Sequence, residues 1–222
     1  MLTRPPTTVG DPAAVEDALR AATTTMTVPA PASPDPGAAS GATTTTTTLA
    51  SSLRFTVSDS TLVPAAAAPV GLRIGDIDVD APVEAYGVDR RTGEMDVPSN
   101  VRDVAWYQYG PSPGQAGSAV LAAHVDLASQ GAGVFFNLDE LEPGDIVTVD
   151  YDDGSARDFE VRARVKYEKT GIPLDVIFAT DGPPVLTLIT CGGGFNPSIE
   201  SYDSNVVVYA FPVGSVESGP SE

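Results

Sequence analysis

The sequence has few of the residues that build disulfide scaffolds, metal sites and membrane spans. Its 222 residues include one cysteine, Cys191, and one histidine, His124. One cysteine cannot form an intrachain disulfide, and one histidine cannot build a multi-histidine metal site. The best candidate for a membrane span, residues 62–72, is interrupted by Pro64 and Pro69 and is shorter than the roughly 18 residues a span requires. We therefore expect neither a zinc or disulfide scaffold nor a spanning helix.

Positive charge is also scarce. The chain carries 12 Lys and Arg residues against 30 Asp and Glu residues, a formal net charge of −18, and its lysines are Lys166 and Lys169. Such a surface repels phosphate backbones, so nucleic acid is not an expected partner. The first residues lack the basic-then-apolar order of a secretory signal. Any export signal was removed, precedes this start, or does not exist.

The first 70 residues are dominated by Ala, Thr, Pro, Ser and Gly, with a pure threonine run at 43–48. A segment with so few large apolar side chains cannot offset the entropy lost on ordering. We therefore predict a disordered leader or linker over residues 1–70. Within it, residues 13–22 favour a marginal helix, with Asp11 as the N-cap and Pro12 at the first helical position. Residues 215–222 are predicted to be a flexible tail.

From residue 71 onward, short β-branched and aromatic runs alternate with Gly, Pro and Asp, which is typical of an all-β domain. Residues 131–141 favour a loop that enters one helical turn, and residues 173–178 favour another turn. Nearly continuous apolar runs near the C-terminus indicate strands buried on both faces, as in a closed or nearly closed barrel. Strands are predicted at residues 72–77, 81–87, 94–97, 119–123, 146–151, 156–166, 185–190 and 205–211.

Two residues could carry nucleophilic chemistry. Cys191 follows the run VLTLIT and precedes three glycines, whose backbone lets a ligand approach closely. His124 ends a similar run, SAVLAAH, so both side chains are expected at strand ends that could meet at one rim of the barrel. An imidazole can pair with a thiolate and later protonate a leaving amine. Taken alone, the cysteine could equally be a small buried hydrophobe and the histidine an ordinary core or surface residue.

Other residues near these two allow alternative interpretations. Trp106, Tyr107 and Tyr109 could line a peptide groove or could pack in the core. Asp126 could orient the imidazole or could be a solvated loop acid. Thr190 could touch substrate or satisfy a hydrogen bond of its strand.

Three collinear segments carry a specific resemblance to a known family. They are AWYQYGPSPGQAGSAVLAAHVD, LTLITCGGGF and SYDSNVVVYAFP. Together they resemble the successive motifs of sortases, in particular the actinobacterial class E and F type. The resemblance covers roughly residues 71–214 and implies an eight-stranded sortase β-barrel for that region, with short helices in its loops.

The resemblance also implies an activity. Sortases are cysteine transpeptidases that cleave a sorting signal resembling Leu-Pro-x-Thr-Gly or Leu-Ala-x-Thr-Gly after Thr and hold it as a thioester. A primary amine, such as a cell-wall peptide or a pilin lysine, then resolves the thioester. On this basis Cys191 is the nucleophile, His124 is the proton donor, and Thr190, which matches the family's Thr-Cys pair, contacts substrate. Trp106, as a residue that could line the peptide groove, is the other candidate for substrate binding. The family requires no cofactor or metal, although some relatives bind calcium, and acts outside the cytoplasm at the cell surface. We expect a monomer.

One position departs from the family pattern. The family has a third catalytic residue, an arginine two positions before the Asn of NVVVYA, where this chain has Asp203. That arginine binds substrate and opposes the negative charge that develops on the carbonyl oxygen, and an oxyanion donor contributes about 2.7 to 4 kcal/mol to acyl transfer. A carboxylate would instead oppose an oxyanion and disfavour the thiolate.

Three hypotheses follow from this departure. An arginine from elsewhere could reach the site, and Arg102, Arg162 and Arg164 are the candidates. Alternatively, backbone N–H groups of residues 192–194 could serve as oxyanion donors in a slower enzyme. In the third hypothesis the domain has lost turnover and only binds peptide. A thiol hydrolase that transfers the acyl group to water would use the same residues as the enzyme.

Overall fold

The structure, a computed structural model, describes residues 8–23, 66–89, 91, 93, 95–196 and 201–214. Its α-helices are α1 (Pro12–Thr23) and α2 (Leu174–Ile177), and 3₁₀ turns occupy Gly75–Ile77, Leu138–Glu140 and Lys169–Gly171. In the part of the chain so described, no helix has the length and apolar character needed to cross a bilayer. The strands are β1 (Val9–Gly10), β2 (Pro69–Ile74), β3 (Val79–Tyr86), β4 (Val104–Tyr107), β5 (Ser118–Ala122), β6 (Asp126–Leu127), β7 (Gly131–Ala132), β8 (Ile146–Tyr151), β9 (Ala156–Glu168), β10 (Val185–Asn196) and β11 (Ser201–Pro212).

Within these residues, eight strands form a closed barrel. The order is β8-β2-β3-β4-β5-β10-β11-β9, and pairing of β9 with β8 closes the ring, while β1 pairs with the part of β9 that lies beyond β8. Side chains alternate between the two faces of each strand. The interior face carries the larger core, in which Leu121, Leu188 and Val208 are fully buried. The predicted eight-stranded barrel is therefore confirmed.

Of the eight barrel strands the sequence missed one, and it also missed the two-residue strands β1, β6 and β7. The strand predicted at 146–151 is β8, whereas β9 and β10 run farther than predicted, to Glu168 and Asn196. The unpredicted barrel strand is β4, which is only four residues long and lies between β3 and β5, so its residues do not alternate between apolar and polar. Of the strand predicted at 94–97, Met95 forms an isolated bridge, and residue 94 lies outside the described residues.

Helix α1 packs on the outer face of the barrel. Its N-cap is the predicted one, because the Ala14 N–H donates to Oδ1 of Asp11 at 3.1 Å. Val15 and Leu19 are buried in a second hydrophobic cluster, on the outer face of the sheet, together with Tyr209 of β11. This burial stabilises a helix that isolated propensity would leave marginal.

The prediction of a disordered leader over residues 1–70 is corrected for residues 8–23. These residues belong to the same compact unit as the barrel. The Tyr167 hydroxyl of β9 donates to the Glu16 carboxylate of α1, a tertiary contact that composition alone does not reveal. The boundary at residue 70 is corrected as well, because β2 begins at Pro69. Residues 1–7 and 24–65 of the predicted leader and the predicted tail at 215–222 lie outside the described residues.

Candidate active site

The register of β5 and β10 brings the predicted nucleophile and histidine to the same level of the barrel. The two strands are parallel, and the last pair of their ladder is Ala122 with Ile189, 67 positions apart. His124 and Cys191 have the same separation, so each lies two residues beyond that pair. Beyond the ladder, the Ala123 N–H donates to Ile189 O at 3.3 Å, which keeps the segments together. Parallel strands lie about 4.8 Å apart, so the strand ends that carry the two residues are neighbours.

The histidine ring is held by a backbone carbonyl. Nε2 of the half-buried His124 lies 2.8 Å from the Pro98 carbonyl oxygen. A carbonyl can only accept, so this nitrogen carries the hydrogen and Nδ1 is the nitrogen left for proton exchange. The backbone of Gly133 packs tightly against that of His124, because a Cβ at Gly133 would lie 2.2 Å from the His124 carbonyl oxygen. Glycine at 133 therefore lets the loop pass directly over His124.

Cys191 lines a cavity of about 240 Å³ beside the end of β5. Its thiol is partly buried, and burial is the main cause that raises its pKa. The Lys169 ammonium lowers the pKa of this thiol, and the Asp126 carboxylate raises it. In the described part of the chain, no hydrogen bond joins the thiol to the His124 imidazole. The neutral thiol is therefore the favoured resting form.

Asp126 does not orient the imidazole in this structure. Its Oδ2 accepts a hydrogen bond from the Tyr202 hydroxyl at 2.7 Å. Burial and the Asp126 carboxylate raise the pKa of Tyr202 to about 12, and the cysteine adds to this shift. Tyr202 also lines the cavity of Cys191. The sequence did not single out Tyr202, because nothing in its local pattern pairs it with an acid 76 positions away.

Asp203 holds the glycine segment that follows the nucleophile. The register of β10 and β11 shifts between Gly192 and Phe195, forming an irregularity in the ladder. Oδ1 of Asp203 accepts from the Gly194 N–H at 3.1 Å and from the Ser204 hydroxyl at 2.5 Å. These bonds, with that of Ser204 the largest cause, lower the pKa of the Asp203 carboxyl. The Gly194 N–H is thus engaged by Asp203 rather than directed at a substrate oxygen.

Of the three candidate arginines, Arg164 lines the cavity of Cys191. Its side chain is almost fully buried, its Nη2 lies 3.4 Å from Oε1 of Glu142, and its Nε has no partner among the described residues. Arg162 is exposed and lies 3.6 Å from Glu160, and Arg102 lines a different cavity of about 320 Å³. The structure therefore brings one of the three near the cysteine.

The remaining predicted residues divide between site and core. The Thr190 hydroxyl donates to the Ala123 carbonyl at 2.8 Å, so it satisfies a buried hydrogen bond although Thr190 also lines the cavity. Trp106 packs against the interior core, and its indole N–H donates to Pro111 O at 3.2 Å, which favours the core-packing alternative. Tyr107 stacks edge to face on Phe178, with ring centroids 5.0 Å apart. Among the described residues, no group of His, Cys, Asp and Glu converges to hold a metal.

A family comparison identifies the domain. The sortase domain family matches residues 72–213, which is more than half of the chain and spans the barrel. The chain belongs to the sortase family. Membership supports a sortase-type transpeptidase that acts on surface-protein sorting signals and amine acceptors. No curated protein matches the chain significantly.

Solved sortase structures share the fold at low sequence identity. Sortase C1 of GBS pilus island 1 superposes with a TM-score of 0.51 and 22% identity, covering 69% of this chain and 68% of that one. Sortase C-1 from Actinomyces oris gives 0.50 and 24%, covering 66% and 76%. A lid mutant of sortase A from Corynebacterium diphtheriae gives 0.50 and 22%, covering 70% and 75%. These similarities show that the chain has the sortase fold.

Proposed function

We propose that this sortase is a cysteine transpeptidase in which Cys191 is the nucleophile and His124 is the proton donor. The observation that carries the proposal is the shared register of β5 and β10, which sets the two residues on neighbouring strand ends. Proximity of this kind replaces a bimolecular encounter with an intramolecular one.

The proposed transpeptidation has two steps, acylation of Cys191 and transfer of the acyl group to an amine. The Cys191 thiolate attacks the carbonyl carbon of the Thr residue, the C–N bond breaks, and the leaving amine takes a proton from the His124 imidazolium. In the second step an acceptor amine attacks the thioester, the C–S bond breaks, and the imidazole accepts the proton that the amine loses. The bond from His124 Nε2 to Pro98 O leaves Nδ1 as the nitrogen that exchanges this proton.

We propose a Leu-Pro-x-Thr-Gly or Leu-Ala-x-Thr-Gly type of sorting signal as substrate, with a cell-wall peptide or pilin lysine as acceptor. The motifs around Cys191 and Asp203 favour the class E and F type, and the site of action is then extracytoplasmic, at the cell surface, in protein anchoring. The depletion of positive charge agrees with a peptide rather than a nucleic-acid partner.

A catalytically silent peptide-binding domain is the second candidate. Two observations favour it: Asp203 stands where the family has its arginine, and burial raises the pKa of Cys191. Such a domain would bind the signal peptide with an affinity that Cys191→Ala leaves unchanged. A thiol hydrolase would consume the same peptides but give no new product when amines are added.

A peptide panel separates these functions. The protein is incubated with peptides that contain each signal, with and without an amine acceptor, and intact mass reports the acyl adduct on Cys191. A transpeptidase gives an adduct and an amine-dependent product, and Cys191→Ala abolishes both. Asp203→Arg is expected to raise the rate of acylation. No adduct across a broad panel, together with peptide binding by Cys191→Ala, would establish the silent domain.

A further inference from the structure

Besides the His124 imidazolium, the family places an arginine close to the nucleophile, and Asp203 cannot supply that positive charge. Arg164 and Lys166 line the cavity of Cys191, but the strand register turns both away from the thiol. In antiparallel pairs, residues directly opposite each other share a face. Arg164 pairs with Val208 and Lys166 with Val206, and both valines belong to the interior core.

Cys191 faces the other side of the same sheet. It pairs with Asn205 of β11, and Asn205 pairs with Tyr167 of β9, so these three residues form one row across the strands. Tyr167 packs against the outer hydrophobic cluster, which fixes the outward direction of the row. A cation that is to act on the thiol from β9 must therefore lie on the outward face, near Tyr167.

Lys169 meets this requirement. It begins the 3₁₀ turn Lys169–Gly171, two residues after Tyr167, and the intervening Glu168 still pairs with Ser204 in the ladder of β9 and β11. Side chains alternate between the two faces of a paired strand, so Lys169 emerges on the outward face with Cys191. Its ammonium is also the positive group that lowers the pKa of the Cys191 thiol, whereas no such effect of Arg164 or Lys166 is resolved.

We propose that Lys169 is the active-site cation of this sortase, supplying to Cys191 the positive charge that the family takes from the arginine replaced here by Asp203. The proposal rests on the proposed function for its biological meaning, but the electrostatic pairing can be measured without a peptide. Lys169 favours the thiolate before attack. The family's charge requirement is thus met from the end of β9 rather than from β11.

The test is the pH dependence of Cys191 alkylation by iodoacetamide, from pH 6 to 10, in the full chain. The parent is expected to react slowly at pH 7, because burial holds the thiol protonated. Lys169→Gln is expected to move the midpoint upward by about half a pH unit, a roughly threefold loss of rate below the midpoint. Lys169→Arg should restore the parent profile. The titratable and charged side chains that line the cavity of Cys191 or lie at the adjoining strand ends are His124, Asp126, Asp139, Arg164, Lys166, Tyr167, Glu168, Lys169, Tyr202 and Asp203.

Arg162→Gln is the matched control. Arg162 is exposed on the same strand, β9, and its loss changes the net charge by the same amount. An unchanged midpoint in Lys169→Gln, or an equal shift in Arg162→Gln, overturns the proposal, provided that thermal unfolding shows each variant folded. If only Lys169→Gln shifts the midpoint but the protein acylates no peptide, the effect of Lys169 on Cys191 stands and the transpeptidase function is rejected. If the protein acylates peptide but the midpoint is unchanged, the transpeptidase function stands and the effect of Lys169 is rejected.

Discussion

The Tyr202 hydroxyl lies 2.7 Å from Oδ2 of Asp126, which joins the start of β11 to β6 beside the nucleophile. The tyrosine keeps its proton throughout the neutral range, since its pKa is raised to about 12. It therefore remains a hydrogen-bond donor to the carboxylate. Asp126 in turn raises the pKa of Cys191, so the pair opposes the effect of Lys169 on the thiol.

Asp126→Asn should make Cys191 more reactive. The change removes a negative charge whose field disfavours the thiolate, so the pKa of the thiol falls and alkylation at pH 7 accelerates about two- to threefold. The rate of iodoacetamide labelling measures this. Asp17→Asn, on the exposed side of α1, removes the same charge at a position that is not among the groups acting on the thiol. A slower or unchanged Asp126→Asn would contradict the assignment.

Gly193→Ala should disrupt the segment after the nucleophile. Gly193 has φ +85°, and a Cβ there would lie 1.9 Å from Oδ1 of Asp203. Gly154 supplies a matched control, because it has φ +82° and open space around the added Cβ. Gly154→Ala is expected to cost about 1 kcal/mol of unfolding free energy from backbone strain alone. Gly193→Ala should cost more and lower peptide acylation, as measured by denaturant unfolding and adduct formation. Equal effects of the two changes would argue against a role for the Asp203 contact.

Asp203 variants should separate its hydrogen bonds from its charge. Asp203→Asn retains an acceptor for the Gly194 N–H, whereas Asp203→Ala retains none, so thermal stability should fall more in the alanine variant. The folded-state pKa of this carboxyl is lowered. Its stabilising contribution is therefore fully present above its ordinary pKa, near 4, and is lost as the pH falls through the lower folded value. The melting temperatures of the parent and Asp203→Ala should converge with falling pH, and a constant gap would refute this.

Leu19→Ala should destabilise the barrel although it lies outside it. Leu19 of α1 is 1% exposed in the outer cluster, and removing such a side chain costs about 2 to 4 kcal/mol. Denaturant unfolding at neutral pH measures the change. Ala18→Ser, one residue earlier and exposed, should be close to neutral. A parent-like Leu19→Ala would indicate that α1 contributes no stability to the barrel.

The strands and the candidate nucleophile could be predicted because their signals are local. The period-2 and buried runs from residue 146 onward located β8, β9, β10 and β11, and the motif around Cys191 indicated a strand end followed by glycines. The strand patterns and the cysteine motif both depend on residues that are close together in the sequence. Short β4 lacked such a signal, because its four residues do not alternate between apolar and polar.

Contacts across the fold could not be predicted from local patterns. The carbonyl of Pro98 holds His124 across 26 positions, and Asp203 meets Gly194 across nine. Helix α1 looked marginal because the surface that buries Leu19 is built from strands more than a hundred residues away. The residue that replaces the family arginine was visible in the sequence, but its hydrogen bonds to the glycine segment required the coordinates.

The thiol and the imidazole approach each other only when β5 has paired with β10 across 67 positions. Hairpins such as β8 with β9 need much shorter loops and form sooner, since closing a long loop and pairing distant parallel strands is slow. After dilution from denaturant, far-UV circular dichroism should therefore recover before Cys191 regains its native alkylation rate. The reactivity of this cysteine therefore reports when β5 pairs with β10, independently of the total strand content.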